Sequence, residues 1–169
     1  RRLGFSSSKT MSVAQKLYEG INIGGQGVVG LITYMRTDSL RISDEARAEG
    51  NKYTRETYGE KYLPKKPRYY KTKGNVQDGH EAIRPSVPSI TPDMVKGSVT
   101  SDQYKIYKLI WERFIASLME SCLQETIKVE ITAGDYIFTT SGYTVKFDGF
   151  TALYEEYRER QGREGTLLA

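Results

Sequence analysis

Residues 100–118 read TSDQYKIYKLIWERFIASL and carry the strongest helix signal in the chain. Thr100 and Gln103 form a capping-box pattern, in which each side chain accepts a hydrogen bond from the backbone N–H of the other residue. Apolar residues then recur every three or four positions, which predicts a helix with one buried face. The residues expected on that face are Ile106, Leu109, Ile110, Phe114 and Leu118. Such a face is buried only against other elements, so the flanking segments should pack around it.

Two more helices are predicted on the N-terminal side of this segment. One runs from the serines at residues 6–8 to a stop at Gly20, and the other runs from its cap at Ser43 to a stop at Gly59. Residues 91–93, Thr-Pro-Asp, begin a short helical turn. The packing positions expected on the first helix are Met11, Ala14, Leu17 and Tyr18.

β-structure is predicted in two places. Residues 20–30 contain five glycines, which favours a loop or a hairpin wing, and a mainly apolar strand from Val28 to Tyr34 follows. After Cys122 the sequence changes to short alternating runs rich in β-branched residues. The strands expected there are Thr126–Thr132, Tyr136–Thr140 and Tyr143–Phe147, with Ser141-Gly142 as a two-residue hairpin turn. The chain is therefore expected to be α+β, with a mainly helical domain followed by a few antiparallel strands.

The composition limits the class of protein. The chain has 169 residues, and no run approaches the ~18 consecutive apolar residues of a transmembrane helix. Residues 1–4, Arg-Arg-Leu-Gly, lack the apolar core of a secretion signal. The lone cysteine cannot form an intramolecular disulfide, so the reducing cytosol is the expected compartment. Neither a membrane protein nor a secreted protein is expected.

Positive charge is concentrated in the first half of the chain. Residues 1–84 hold 16 basic and 9 acidic side chains, whereas residues 85–169 hold 9 and 12. Residues 61–73, KYLPKKPRYYKTK, contain six basic groups, three tyrosines and no acidic group. Basic groups attract phosphates, and aromatic rings can stack on unpaired bases. A solvated loop whose charges only aid solubility has the same pattern, and both interpretations stay open.

Residues 30–39, GLITYMRTDS, hold the strongest chemical pattern. If a strand continues through them, Tyr34, Arg36 and Asp38 project to one side of it. A tyrosine phenol has a pKa of about 10 and is a weak nucleophile when neutral, but a neighbouring cation favours its phenolate form. Arg36 supplies such a cation, and its planar guanidinium can also hold a phosphate through two hydrogen bonds. By pattern alone, packing plus a surface charge is the more common explanation.

Two stretches resemble the signatures of one enzyme family. Residues 30–39 resemble the active-site tyrosine motif of bacterial type IA DNA topoisomerases, and residues 80–85, HEAIRP, resemble the second signature of that family. Met35 is typical of the topoisomerase I branch, since the topoisomerase III branch usually has proline there. Flanking similarities extend over nearly the whole chain: they are Leu3-Gly4-Phe5, Lys9-Thr10-Met11, Ala14–Glu19, Leu109-Ile110-Trp111 with Phe114, and Phe147–Phe150.

The resemblance implies a role for each matched residue. Tyr34 would attack a phosphodiester of single-stranded DNA, which forms a 5′-phosphotyrosine and frees a 3′-hydroxyl. Arg36, the second catalytic residue, would hold the scissile phosphate. Passage of a second strand followed by resealing would relax negative supercoils without ATP. The residues expected to contact DNA or to support the site are Thr33, Asp38, His80 and Arg84.

The same resemblance implies a domain organisation. Residues 1–122 would form the winged-helix-like, catabolite-activator-related domain that carries the tyrosine. Residues 123–169 would form part of the β arch that acts as a hinge, with a flexible C-terminal end. In the family, Mg²⁺ and an acid for the leaving oxygen come from an N-terminal Toprim domain, which this sequence lacks, as it lacks any Asp-x-Asp pair. The chain is therefore expected to hold no metal and to be inactive alone.

The expected partners are single-stranded or negatively supercoiled DNA and the remaining domains of the same polypeptide. The expected location is the bacterial cytoplasm, in association with the nucleoid. A non-catalytic winged-helix DNA-binding module, in which Tyr34 is structural, is the alternative function. A protein-interaction domain that uses a tyrosine-rich surface is a third possibility.

Overall fold

Helices alternate with two small antiparallel sheets along the chain. The computed structural model describes residues 2–25, 27–70 and 80–154. Contacts divide the chain into two compact units, Arg1–Met119 and Glu120–Ala169. The first unit contains α1 (Ser7–Glu19), a hairpin of β1 (Ile21–Asn22) and β2 (Val28–Val29), α2 (Asp44–Tyr58), a 3₁₀ turn (Glu60–Tyr62), α3 (Pro92–Val95) and α4 (Ser101–Leu118). The second contains β3 (Leu123–Ala133), β4 (Tyr136–Phe147) and a 3₁₀ helix (Gly149–Leu153).

These elements confirm the predicted α+β class, in which helices precede a few antiparallel strands. The glycine-rich residues 20–30 form the expected hairpin between α1 and α2. No helix within the described ranges is long and apolar enough to cross a membrane. The C-terminal end that the sequence predicts to be flexible lies, from residue 155 onward, outside the described residues.

The helices begin at the predicted capping residues. Ser6, Ser43 and Thr100 are the N-caps of α1, α2 and α4, and each side chain accepts a hydrogen bond from the N–H three residues further on. At α4 the capping box is complete, because the Gln103 side chain also accepts from the Thr100 N–H at 2.8 Å. A glycine follows the last residue of α1 and of α2. The predicted helix boundaries are confirmed.

Helix α4 is the centre of the first unit, because α1, α2 and α3 all pack against it. The prediction for its core face is partly wrong, since Leu109 and Ile110 are only half-buried. Larger aromatic residues take their places in the core. The buried residues of α4 are Gln103, Ile106, Tyr107, Trp111, Phe114, Ile115, Ala116 and Leu118.

Two of these buried aromatic residues hold the segment that precedes α3. The Tyr107 hydroxyl donates to the Ile90 carbonyl at 2.7 Å, and Trp111 Nε1 donates to the Pro88 carbonyl at 2.9 Å. Because each polar tip has an acceptor, the rings can be buried without an unpaired donor. Burial also raises the pKa of the Tyr107 phenol, which keeps it a neutral donor. Residues 88–90 are therefore fixed to α4.

The strand predicted from Val28 to Tyr34 is shorter than expected. β2 ends at Val29, and the chain bends at residues 35–36. The Leu31 N–H donates to the Leu17 carbonyl at 2.8 Å, at the last turn of α1. The strand thus ends after Val29 because the Leu31 N–H bonds to helix α1 and not to the partner strand of the hairpin.

The second unit contains one long hairpin in place of the three predicted strands. Its turn is Gly134-Asp135, where Gly134 has a φ of +60°, a conformation that favours glycine. Ser141-Gly142, the predicted turn, lies inside β4 and pairs with Lys128 and Ile127. Both strands are exposed over most of their length. Two strands alone do not bury a core.

Gly30 marks a close approach between the chain after β2 and helix α1. A Cβ atom at this position would lie 2.7 Å from the Tyr18 backbone oxygen. We expect Gly30→Ala to lower the free energy of unfolding by about 1–3 kcal/mol, because two hydrogen-bonded backbones would have to separate. Urea unfolding followed by the fluorescence of the single tryptophan measures this loss.

Gly24→Ala is the matched control, because a Cβ atom at Gly24 would meet no atom within 4 Å. Its stability should equal or slightly exceed that of the wild type, since alanine restricts the unfolded chain. Equal stabilities for the two variants would contradict the close approach at Gly30.

Candidate active site

The two signature segments, residues 30–39 and residues 80–85, lie side by side. Ile32 and Pro85 form an antiparallel bridge. The backbone bonds that flank it run from the Thr33 N–H to the Arg84 carbonyl (2.9 Å) and from the Ser86 N–H to the Leu31 carbonyl (3.0 Å). Residues that are far apart in the sequence therefore form one short antiparallel ribbon, which we call the signature ribbon (residues 31–33 and 84–86).

The Thr33 side chain strengthens the signature ribbon. Its hydroxyl donates to the Ala82 carbonyl at 2.8 Å and accepts from the Arg84 N–H at 2.9 Å. A hydroxyl can do both, because it carries a donor and acceptor lone pairs. The Ala82 N–H in turn donates to the Arg41 carbonyl at 2.8 Å. The loop that carries the Tyr34 segment is thus attached to the second signature at both of its ends.

Tyr34 lies between two aromatic rings. Its ring centroid is 5.4 Å from that of Tyr18 and 5.8 Å from that of His80, and both contacts are edge-on. Such contacts restrict the orientation of a ring. Tyr34 is still 39% exposed as a residue, so solvent and ligands can approach it. The Tyr34 ring is therefore restricted in its orientation but accessible to a ligand.

Arg36 and Asp38 are exposed, whereas Met35 and Ser39 are buried. The alternation that the sequence predicts is thus present in the burial of these side chains, although the segment bends and is not a strand. Within the described part of the chain, Arg36 and Asp38 have no hydrogen-bond or ion-pair partner. Because both residues are exposed, a ligand can approach their charged groups.

Arg84, in contrast, directs its guanidinium at protein acceptors. Its Nε donates to Glu81 Oε2 at 2.9 Å, and its Nη2 contacts the same oxygen. Its Nη1 donates to the carbonyls of Pro85 (2.8 Å) and Ser86 (3.3 Å). The side chain is only 11% exposed. In this geometry the Arg84 side chain stabilises the loop of the second signature. His80 is the residue of that signature whose ring contacts Tyr34.

The described residues around Tyr34 were considered as ligands for a metal ion. No group of three or more His, Cys, Asp or Glu side chains in residues 2–25, 27–70 and 80–154 is arranged to hold a metal ion. The imidazole of His80, the described ring nearest to Tyr34 in the second signature, is a poor ligand for Mg²⁺, which prefers oxygen donors.

Comparison with known proteins identifies the family. The model of a DNA topoisomerase family matches residues 1–168, which is nearly the whole chain. The chain belongs to the DNA topoisomerase family. The structure is similar to full-length topoisomerase I from Thermotoga maritima, with 38% sequence identity and a TM-score of 0.78. This match covers 91% of the present chain and 24% of the Thermotoga chain, and it confirms the resemblance to bacterial type IA topoisomerases.

The sequence of this topoisomerase chain gave little sign that Tyr18 is a neighbour of Tyr34. Tyr18 was expected to be a packing position of α1, but its side chain is 41% exposed. It reaches Tyr34 because the short hairpin folds back and docks Leu31 on Leu17. The one available signal was the similarity of residues 14–19 to the flank of the family motif.

The hydroxyl of Thr33 should measurably stabilise the topoisomerase chain. Thr33→Val keeps the shape of the side chain but leaves the Arg84 N–H without its side-chain acceptor. We expect a loss of about 1–3 kcal/mol in the free energy of unfolding, as for other part-buried groups that lose a partner.

Thr33→Ser retains the hydroxyl and should lose less stability than Thr33→Val. Urea unfolding of the three proteins under the same conditions provides the comparison. Equal losses for the valine and serine variants would show that the hydroxyl does not hold the two signatures together.

Proposed function

We propose that this chain supplies the nucleophile of a type IA DNA topoisomerase, and that Tyr34 is that nucleophile. The observation that supports the proposal is the position of Tyr34, which is accessible while its backbone and its ring are both held. A nucleophile that is already oriented avoids much of the entropic cost of reaching an attack geometry. The family match supports DNA as the substrate class.

In the proposed reaction the Tyr34 oxygen attacks a phosphorus atom of single-stranded DNA. The bond from this oxygen to phosphorus forms as the bond from phosphorus to the 3′-oxygen breaks. The phenol gives up one proton and the leaving 3′-oxygen takes one, so the products are a 5′-phosphotyrosine and a 3′-hydroxyl. One phosphodiester replaces another, so the reverse attack reseals the strand without an external energy source. Strand passage between the two steps relaxes negative supercoils.

Arg36 is proposed to bind the phosphate under attack. It lies two residues from Tyr34, is exposed, and has no partner among the described residues. A guanidinium offers two parallel N–H donors to phosphate oxygens, and it stabilises the negative charge that develops during attack. Asp38 is proposed to orient groups next to Tyr34.

The second signature and Thr33 are proposed to complete the site. His80 contacts the Tyr34 ring and would line the DNA path beside it. Arg84 and Thr33 are proposed to act as supports, because their polar groups are bonded to the protein. Neither needs to touch DNA in order to affect the site.

The complete activity is proposed to need the rest of a larger polypeptide. The Thermotoga enzyme is a much longer chain, of which this match covers 24%. Those further domains would supply the acid that protonates the 3′-oxygen and would bind the Mg²⁺ of the complete enzyme. The complete enzyme is proposed to act in the bacterial cytoplasm. The present chain alone is therefore expected to form little covalent adduct with DNA.

Tyr34→Phe in the complete polypeptide should abolish covalent capture of DNA. A single-stranded oligonucleotide labelled at its 3′ end should become attached to the wild-type enzyme. The same oligonucleotide labelled at its 5′ end should give a shorter free fragment. Denaturing gel electrophoresis separates the two outcomes and reports the polarity of the linkage.

Tyr18→Phe is the matched control, because it removes a hydroxyl from the adjacent ring and keeps the edge contact. This variant should still capture DNA. Capture that persists in Tyr34→Phe would overturn the assignment of the nucleophile and would favour a structural role for Tyr34 in a DNA-binding module.

Arg36→Ala should slow strand cleavage by about 10²–10³-fold, the usual effect of removing one donor that stabilises a transition state. Stability should not change, since the side chain is exposed and has no described partner. Single-turnover cleavage by the complete polypeptide measures the rate. Arg41→Ala, at a nearby exposed arginine, is the control and should cleave at the wild-type rate. Wild-type cleavage by Arg36→Ala would show that other groups hold the phosphate.

A further inference from the structure

A pocket of about 200 Å³ lies between α2, the loop that follows it and the end of α4. It shares no residue with the site around Tyr34. Its lining is unusually basic: among the described residues that form it, four are basic and one is acidic. The basic residues are Arg47, Arg55, Lys65 and Arg68, and the acidic residue is Glu60.

The acidic residue of this basic pocket already has a partner. Arg55 Nε donates to Glu60 Oε2 at 2.6 Å, and the pair largely cancels its own charge. Arg47 and Lys65 then give the lining a net positive charge. A concave surface with charge of one sign concentrates counter-ions of the opposite sign. The pocket is therefore suited to an anion.

Arg47 adds an unsatisfied donor to this charge. Its Nη1 donates to the Arg68 carbonyl at 2.8 Å, and its guanidinium lies 4.6 Å from the centroid of the Tyr69 ring. These two contacts fix the orientation of the guanidinium. Its Nε is buried and has no hydrogen-bond partner in the described structure. A buried donor without an acceptor is unfavourable, and a side-chain adjustment that brought it to an oxygen atom of a bound anion would relieve it.

The loop that forms one wall of the basic pocket is attached to the helices. Besides the bond from Arg47 to the Arg68 carbonyl, the Tyr70 hydroxyl donates to the Ser117 carbonyl of α4 at 2.9 Å. This loop is the described part of the basic segment 61–73, while residues 71–73 lie outside the described residues. Its cations are thus presented on a fixed backbone, which favours binding over mere solvation.

We propose that the basic pocket binds one phosphate of the backbone of single-stranded DNA. A phosphodiester carries one negative charge and two exposed oxygens, which match the guanidinium of Arg47 and the ammonium of Lys65. The inference rests on the proposed function, because it takes DNA as the substrate. It adds a non-covalent contact to DNA outside the signature ribbon and Tyr34.

Lys65 and Lys66 provide a matched test of the basic pocket. Both side chains are exposed, but only Lys65 lines the pocket. The complete polypeptide carries Tyr34→Phe in all samples, so that only non-covalent binding is measured. Fluorescence anisotropy with a labelled oligothymidylate, recorded at several KCl concentrations, gives the affinity and its salt dependence.

Lys65→Gln should weaken binding and reduce the slope of log K against log[salt] by about 0.7, the value for one lost phosphate contact on a single strand. Lys66→Gln should leave the slope unchanged. Arg47→Lys keeps the charge but removes the Nε donor, and it should also weaken binding. Equal effects of the two lysine variants, or no effect of Lys65→Gln, would overturn the proposal.

Inorganic phosphate distinguishes a free anion from the DNA backbone. Inorganic phosphate could protect the wild type, but not Lys65→Gln, against thermal unfolding while the two proteins bind DNA equally. In that case the pocket binds free phosphate and the DNA proposal is wrong. Failure of the proposed function has a different signature. It would appear as covalent capture by Tyr34→Phe, which none of these binding measurements detects.

Discussion

The antiparallel contact of the signature ribbon is the interaction on which the rest of the site depends. It joins residues 31–33 to residues 84–86 through backbone hydrogen bonds and the hydroxyl of Thr33. Neither segment could hold this geometry alone, because the Thr33 N–H and the Ser86 N–H each find their acceptor in the other segment. Tyr34 follows directly after the paired residues, so the backbone that leads into it is fixed while Tyr34 itself stays accessible.

The helices position the signature ribbon from both sides. Trp111 and Tyr107 of α4 bind the carbonyls of residues 88–90, just beyond the second signature. On the other side, Leu31 is bonded to the last turn of α1, and α1 packs on the same α4. The buried core of the first unit thus reaches Tyr34 through a short series of directed hydrogen bonds. The Tyr107 hydroxyl and the Trp111 indole N–H therefore help to position the site around Tyr34, although they do not contact it.

Sequence signals that act within a few residues predicted the helices, whereas pairing between residues far apart in the chain could not be predicted from such signals. The helix caps Ser6, Ser43 and Thr100 act on residues within one turn, so the helices could be placed from the sequence. Ser141-Gly142 and Gly134-Asp135 are both plausible turns, and only the full register of β3 with β4 selects the second. The residues of the candidate site were found by their motif, whereas the contact of Tyr18 with Tyr34 depends on a fold-back that no local pattern encodes.

Peptide mass spectrometry of the covalent complex tests the role of Tyr34 most directly. The complete polypeptide would be trapped on a single-stranded oligonucleotide, digested with nuclease and protease, and sequenced by fragmentation. The proposed chemistry predicts one modified peptide, from residues 30–39, with a nucleotide attached through its 5′-phosphate to Tyr34. A nucleotide on any other residue, or one attached through its 3′-phosphate, would contradict it.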